Sequence, residues 1–216
     1  MSEPEKITRE RAKELTKQII IDHGKKEFLK HGYLNVSVRS LAKSANLTSG
    51  AIYTHFKDKA ELFMSLVRPA LAALLDLLKE VHEEKLSLIQ GGKSRPQLGI
   101  KLEDLKAIIG NIYEHFVEFR LLMVASAGSG QENFLFSISQ FHSECLERCL
   151  DALKKSDSEA KRADMELIRV LSYSYFTAIF EVVGRNLPRE RADQLVSPLF
   201  QFFEPGWNRL LSLSSD

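Results

Sequence analysis

Two groups of residues have types and spacings that could do chemistry. His142, Cys145 and Cys149 fall at i, i+3 and i+7 of a helical stretch, so they share one face, and imidazole with thiols suits zinc or copper. Only three such ligands come from this element and no matching pair stands elsewhere. The expectation is therefore no metal and no cofactor, with the cysteines acting as small hydrophobes. The second group is Thr48, Ser49, Gly50 and Ala51 with Tyr53, Thr54 and His55, set around the apolar Ile52 and Phe56 four apart. Its small side chains allow a backbone to approach a flat surface closely, and its hydroxyls and imidazole can donate to phosphate oxygens. Catalysis has little to draw on: there is no Gly-rich phosphate loop, no His-Glu-x-x-His, and no Ser or Cys with a base near it in sequence. An enzyme is not expected.

The elements that must position these groups are helical almost throughout, because apolar residues recur at three and four and strand-like alternation is scarce. The pattern predicts an all-α chain of about nine helices. The first runs from about Thr8 to Lys30, with Leu15, Ile19, Ile20 and Phe28 on one side and Gly32 as a left-handed cap. Ser37 is the expected N-cap of a short helix through Ala45, Asn46 can take the positive φ of a tight turn, and Thr48 is the next cap. A third helix from Ser49 to His55 or Phe56 follows. Asp58-Lys59-Ala60-Glu61 opens a long fourth helix that Pro69 should kink or divide. Residues 87–100 read as a connector, and helices are expected at about 102–126, 132–155 and 163–186, with a break at Ser156–Ser158. A last helix from Pro188 should be interrupted at Glu204-Pro205-Gly206 before Trp207 to Leu213.

The chain of 216 residues, 44% hydrophobic, is long enough to bury a sizeable core. Its net charge of +1 hides an asymmetry. Residues 1–60 hold twelve Lys or Arg against seven Asp or Glu, a net of +5, and the remainder holds eighteen against twenty-two, a net of −4. A basic head on a mildly acidic body suits a polyanionic partner, as does a solvated basic helix face. No apolar run approaches the length of a membrane span and no signal-peptide pattern stands near the start, so the expected location is the cytoplasm, without a membrane partner.

The stretch Ile20–Phe63 resembles the DNA-binding domain of TetR-family (TetR/AcrR type) transcriptional regulators, most closely over Ser37–Phe63. The residues that carry the resemblance are Phe28 and Gly32 closing the first helix, Leu41-Ala42, Tyr53-x-x-Phe56, and Lys57-x-Lys59-x-x-Leu62-Phe63. Asn46 departs from the glycine the family usually has at the turn. The resemblance implies an N-terminal three-helix DNA-binding domain over 8–60, with the helix-turn-helix at 37–56, and a C-terminal helical domain over 61–216 for effector binding and dimerisation. It implies a homodimer that binds a near-palindromic double-stranded DNA operator and is released by a small-molecule effector, most simply as a repressor. Carried over, Thr48, Ser49, Gly50, Ala51 and Thr54 approach bases, while Arg39, Tyr53, His55 and Lys59 grip phosphate. A helical ligand- or partner-binding adaptor without sequence-specific DNA binding is the alternative.

In the remainder, Tyr113, His115, Phe116, Phe119, Arg120, Met123, Phe141 and Tyr175 are expected to line an effector cavity, and the same aromatics serve equally as core. The last two long helices, with Leu167, Val170, Leu171, Tyr175, Ile179 and Val182 on one and Leu195, Leu199, Phe202 and Phe203 on the other, carry apolar surface that a second copy would cover in a four-helix bundle.

Overall fold

The computed structural model describes residues 3–92, 98–156 and 164–211, with side chains from residue 7 and none at 156. The described residues form nine helices and no strand: α1 (Glu3–His31), α2 (Val38–Ser44), α3 (Ser49–Tyr53), α4 (Lys59–Gln90), α5 (Leu102–Glu114), α6 (Phe116–Val124), α7 (Phe134–Ser156), α8 (Met165–Gly184) and α9 (Arg189–Leu211). The expected break at Ser156–Ser158, the middle of the 87–100 connector and the end of the last helix at Leu213 reach outside the described residues. Two compact units result, one of residues up to Pro69 with Val117–Glu132, the other of Ala70–Phe116 with residues from Asn133 onward.

The N-terminal unit is built on an aromatic cluster. Phe28 stacks on Tyr33 with centroids 5.8 Å apart, and Phe63 meets both edge-on at 5.2 and 5.3 Å. Gly32, at φ 75°, lets α1 end by donating to Phe28 O and turn Tyr33 back onto that cluster. Of the apolar residues expected on the inner side of α1, Ile20 and Phe28 are fully buried, whereas Leu15 is 65% exposed, because the start of α1 stands clear of the core. The unit also takes in α6 and the turn after it, which a boundary at residue 60 leaves out. Tyr33 N donates to Ala125 O at 2.8 Å, Lys25 pairs with Glu118, and Phe119 is fully buried.

In the C-terminal unit α7 pairs with α8, α5 with α9, and α8 with α9. α8 is long and apolar enough to cross a membrane by composition alone, yet Ile168, Tyr175, Phe176 and Ile179 are among eight of its residues buried in this unit. Helix boundaries in this half of the chain differ from the sequence pattern: α4 runs on through Gln90, so residues 87–90 of the expected 87–100 connector are helical. Pro69 does not divide α4, which runs unbroken for 32 residues. The expected 102–126 helix is two, broken at His115 with φ −116° and ψ 32°. α9 continues through both Pro198 and Pro205 to Leu211. A proline inside a helix costs about 3 kcal/mol. Continuing the helix past Pro205 buries Trp207 and Leu211 in a cluster with Ile89, Leu146, Cys149 and Ile168, and each large side chain so buried contributes about 1.5–3 kcal/mol, enough to offset the penalty of that one proline.

Candidate nucleic-acid interface

Local hydrogen bonds set the caps of α2 and α3 and the turn between them. Ser37, in extended conformation, accepts from Ser40 N through its Oγ while Ser40 Oγ accepts from Ser37 N, both at 3.0 Å, a reciprocal cap in which serine replaces the usual acid. α2 ends with Leu47 N donating to Ala42 O and Asn46 N to Lys43 O, the double closure that requires a left-handed residue between them. Asn46 supplies it at φ 54°. Thr48 then caps α3, its Oγ1 accepting from Ala51 N at 3.1 Å. α3 is shorter than its pattern suggests, ending at Tyr53 with Thr54 as C-cap. Ile52 and Phe56, 1% and 3% exposed, pin it down.

Pinned on that side, α3 turns its other residues outward. Tyr53 is 55% exposed, Gly50 and Thr54 are exposed, and Ser49 and Ala51 are half-buried. Gly50 has helical backbone, and a Cβ there would meet nothing nearer than Thr48 Oγ1 at 3.7 Å. Neither backbone nor packing demands glycine, which weakens a helix by roughly 0.5–1 kcal/mol relative to alanine.

An open cleft flanks α3 on each side. One, of 620 Å³, is lined by Ser37, Arg39, Ser40, Lys43, Asn46 and Ser49. The other, of 780 Å³, is lined by Arg9, Lys13, Thr16, Ala51, Thr54 and His55, where α1 faces α3. α3 is a ridge one helix wide between two clefts, one with Arg39 and Lys43 in its lining and the other with Arg9 and Lys13 beside Glu10. Lys43, Arg9 and Lys13 thus join the candidates; the residues of α1 lie far from the motif in sequence, and only their basic character was visible there. Burial first, and the Lys13 and Lys17 ammonium groups next, hold the His55 imidazole below its usual value, against the nearby Glu14.

Lys59 is already engaged. Its Nζ donates to Tyr33 O and Val36 O, both at 2.9 Å, and lies 4.1 Å from the centre of the Tyr33 ring. Two of its three protons hold the link between α1 and α2, which leaves one for a phosphate.

Residues 20–66 match the family model of bacterial regulatory proteins of the tetR family. These residues are a tetR-family regulatory domain. The chain is similar over 210 residues, 27% identical and 89% of each chain, to a protein of Escherichia coli K12 named "Probable acrEF/envCD operon repressor". Identity rises to 40% with the transcriptional regulator TtgR of Pseudomonas putida, over 76 residues covering 35% of this chain and 32% of TtgR. Among solved structures, NalD of Pseudomonas aeruginosa aligns with a TM-score of 0.53 at 17% identity, covering 90% of this chain and 97% of NalD, which is a likeness of fold.

The eight residues expected around an effector are divided between the two units. Phe119, Arg120 and Met123 belong to the N-terminal unit, and the rest to the other. Tyr113 OH donates to Leu187 O at 2.8 Å while its ring stacks on Phe116. Tyr175 is core, packed edge-on against Phe203 at 4.9 Å, and Phe141 and His115 are half-buried. A 380 Å³ groove between α7 and α8 is lined instead by Phe136, Ser139, Gln140, Val170 and Tyr173 with their neighbours. His142, Cys145 and Cys149 are all buried, and burial pushes the Cys149 thiol up to about 11, so it is protonated at neutral pH. No group of three His, Cys, Asp or Glu is placed to hold a metal ion among the described residues.

Proposed function

We propose that this TetR-family chain is a ligand-responsive repressor in the cytoplasm that binds a near-palindromic DNA operator as a homodimer and releases it when a small molecule occupies its C-terminal unit. The observation that carries the reading is the bare outer face of α3, with Gly50 at its centre, standing between two basic clefts. Thr48, Ser49, Gly50, Ala51 and Thr54 meet base edges, and Arg39, Lys43, Tyr53 and His55 meet phosphates, joined by Arg9 and Lys13 from α1. Lys59 chiefly holds the reading head together and contributes its third proton. Residues 8–60 read DNA, and effector binding and dimerisation belong to the chain from 61 onward.

Dimerisation is supported by what α8 and α9 leave uncovered. Leu167, Val170 and Tyr173 on α8 are 42–58% exposed and Phe202 on α9 is 76% exposed, although Tyr175, Ile179 and Val182 are used within the protomer. Two reading heads in a dimer must stand about one turn of DNA apart, roughly 34–36 Å, or a multiple of it. An effector weakens binding only by its differential affinity for the two spacings. Anisotropy of labelled duplex DNA, with light scattering of the free protein and complex, tests the reading. A dimer that binds with steep salt dependence is expected; a monomer, or binding indifferent to salt, contradicts it.

A further inference from the structure

The interior of the C-terminal unit holds polar side chains that its packing does not account for. His82, Lys85, His142, Ser143 and Ser172 are all buried. Ser143 is satisfied on its own helix, donating to Ser139 O at 2.8 Å. Ser172 is different. On α8 the exposed Ser174 and the half-buried Thr177 each donate to the carbonyl four residues back, whereas the fully buried Ser172 hydroxyl makes no hydrogen bond. A helical serine has that carbonyl within reach, so a hydroxyl turned away from it is aimed at something else. His82 repeats the pattern: its Nε2 lies 2.8 Å from His142 Nδ1, while its buried Nδ1 has no partner. Buried polar atoms are nearly always paired with protein, water or ligand.

Ring contacts link the helices that carry these side chains. The His142 ring packs edge-on against Phe176 at 5.3 Å, and Ser172 lies one turn before Phe176 on the same face of α8. Trp207 closes on His142 from α9. Lys85, one turn after His82 on α4, donates to Gly99 O at 2.8 Å and Leu98 O at 3.2 Å, with its nearest carboxylate, Asp104, 4.0 Å away. Burial first, then Lys85 and Arg148, holds His82 down at about 3, and burial with His82 and Lys85 holds His142 well below the usual value. The cations that act on the rings are themselves engaged, Lys85 beside Asp104 and Arg148 paired with Glu83 at 3.1 Å, so Lys85 is the buried cation nearest the pair in sequence.

We propose that this cluster anchors the effector and that the effector is a small amphipathic carboxylic acid, an inference that rests on the ligand-responsive reading above. Its carboxylate accepts from Ser172 Oγ and from His82 Nδ1–H, Lys85 is the counter-charge, and its apolar body lies against Phe176 and Trp207. The tautomer this requires has His142 Nδ1–H donating to His82 Nε2.

The test follows thermal unfolding of the full chain with straight-chain carboxylates from butanoate to dodecanoate and with the alcohols of equal length. At least one carboxylate should raise the midpoint saturably and bind at least about tenfold more tightly than its alcohol, since charge-assisted hydrogen bonds are the strong ones. Ser172→Ala should weaken that binding about fivefold or more while leaving the unliganded midpoint unchanged or higher, because it deletes an unpaired hydroxyl. Lys85→Met should bring acid and alcohol to similar affinities. Equal responses to acid and alcohol across the series, or undiminished carboxylate affinity in Ser172→Ala, overturn the proposal. Duplex-DNA binding on the same samples separates two failures. DNA binding without carboxylate preference removes the anchor alone, whereas loss of DNA binding removes the regulator reading itself.

Discussion

His82 and His142 share one hydrogen bond, Nε2 to Nδ1 at 2.8 Å, inside the C-terminal unit, and burial is the largest influence holding both rings neutral. In the unfolded chain each titrates near the ordinary histidine value of 6.5. The folded values are depressed, so the unfolded state binds more protons below pH 6.5. Stability is present above that pH and falls as pH drops from 6.5 toward the folded value of about 3 for His82. Each histidine contributes a slope of up to about 1.4 kcal/mol per pH unit. Denaturant unfolding between pH 8 and 5 should show a plateau and then a decline, with a shallower decline in His82→Gln. A stability that is flat down to pH 5 contradicts the burial of the pair.

Asn46 holds the turn between α2 and α3 at φ 54°. Asn46→Gly should leave urea stability unchanged to within a few tenths of a kcal/mol, and Asn46→Val should cost about 1–2 kcal/mol, the penalty of a left-handed β-branched residue. Equal stability of the two variants would show that the turn has another conformation.

Tyr53 and Lys59 differ in role, although both stand in the segment that resembles the family. Tyr53 is exposed and Lys59 ties down two carbonyls. Tyr53→Ala should weaken DNA binding with stability within about 0.5 kcal/mol of the parent. Lys59→Met should lose about 1–2 kcal/mol of stability, below the range of a fully buried charged bond because the group is half-exposed. The pair is checked by measuring midpoint and affinity on the same preparations; a Lys59→Met protein as stable as the parent refutes the latch.

The basic clefts beside α3 predict a graded salt effect. Lys13→Ala and Lys43→Ala should each lower the slope of log affinity against log salt by about 0.9, without changing which duplexes are preferred. Unchanged slopes would leave both lysines outside the phosphate contacts.

The reading head was legible because its signals are local. Ser37, Asn46 and Thr48 each act on backbone groups within five residues, and Ile52 and Phe56 mark the pinned face by their spacing. The remainder was set by contacts distant in sequence. Pro205 reads as a helix breaker until Trp207 is seen to be buried beyond it. The latch made by Lys59 is invisible until the carbonyls 23 and 26 residues earlier are found at its Nζ. The aromatics of 113–123 read as one helix until the break at His115 divides them between α5 and α6. His82 and His142 are 60 residues apart, and nothing in their local sequence pairs them.

The central claim is that the outer face of α3 reads base sequence, and selection of bound duplexes from random DNA tests it most directly, run with the parent chain and with Gly50→Leu. Leucine favours the helix more than glycine, so the variant should fold at least as well. The parent should enrich a near-palindromic site whose half-sites are about one DNA turn apart, and Gly50→Leu should lose that enrichment while still binding DNA weakly. No enrichment by the parent at low salt, or the same site recovered with Gly50→Leu, would contradict the account.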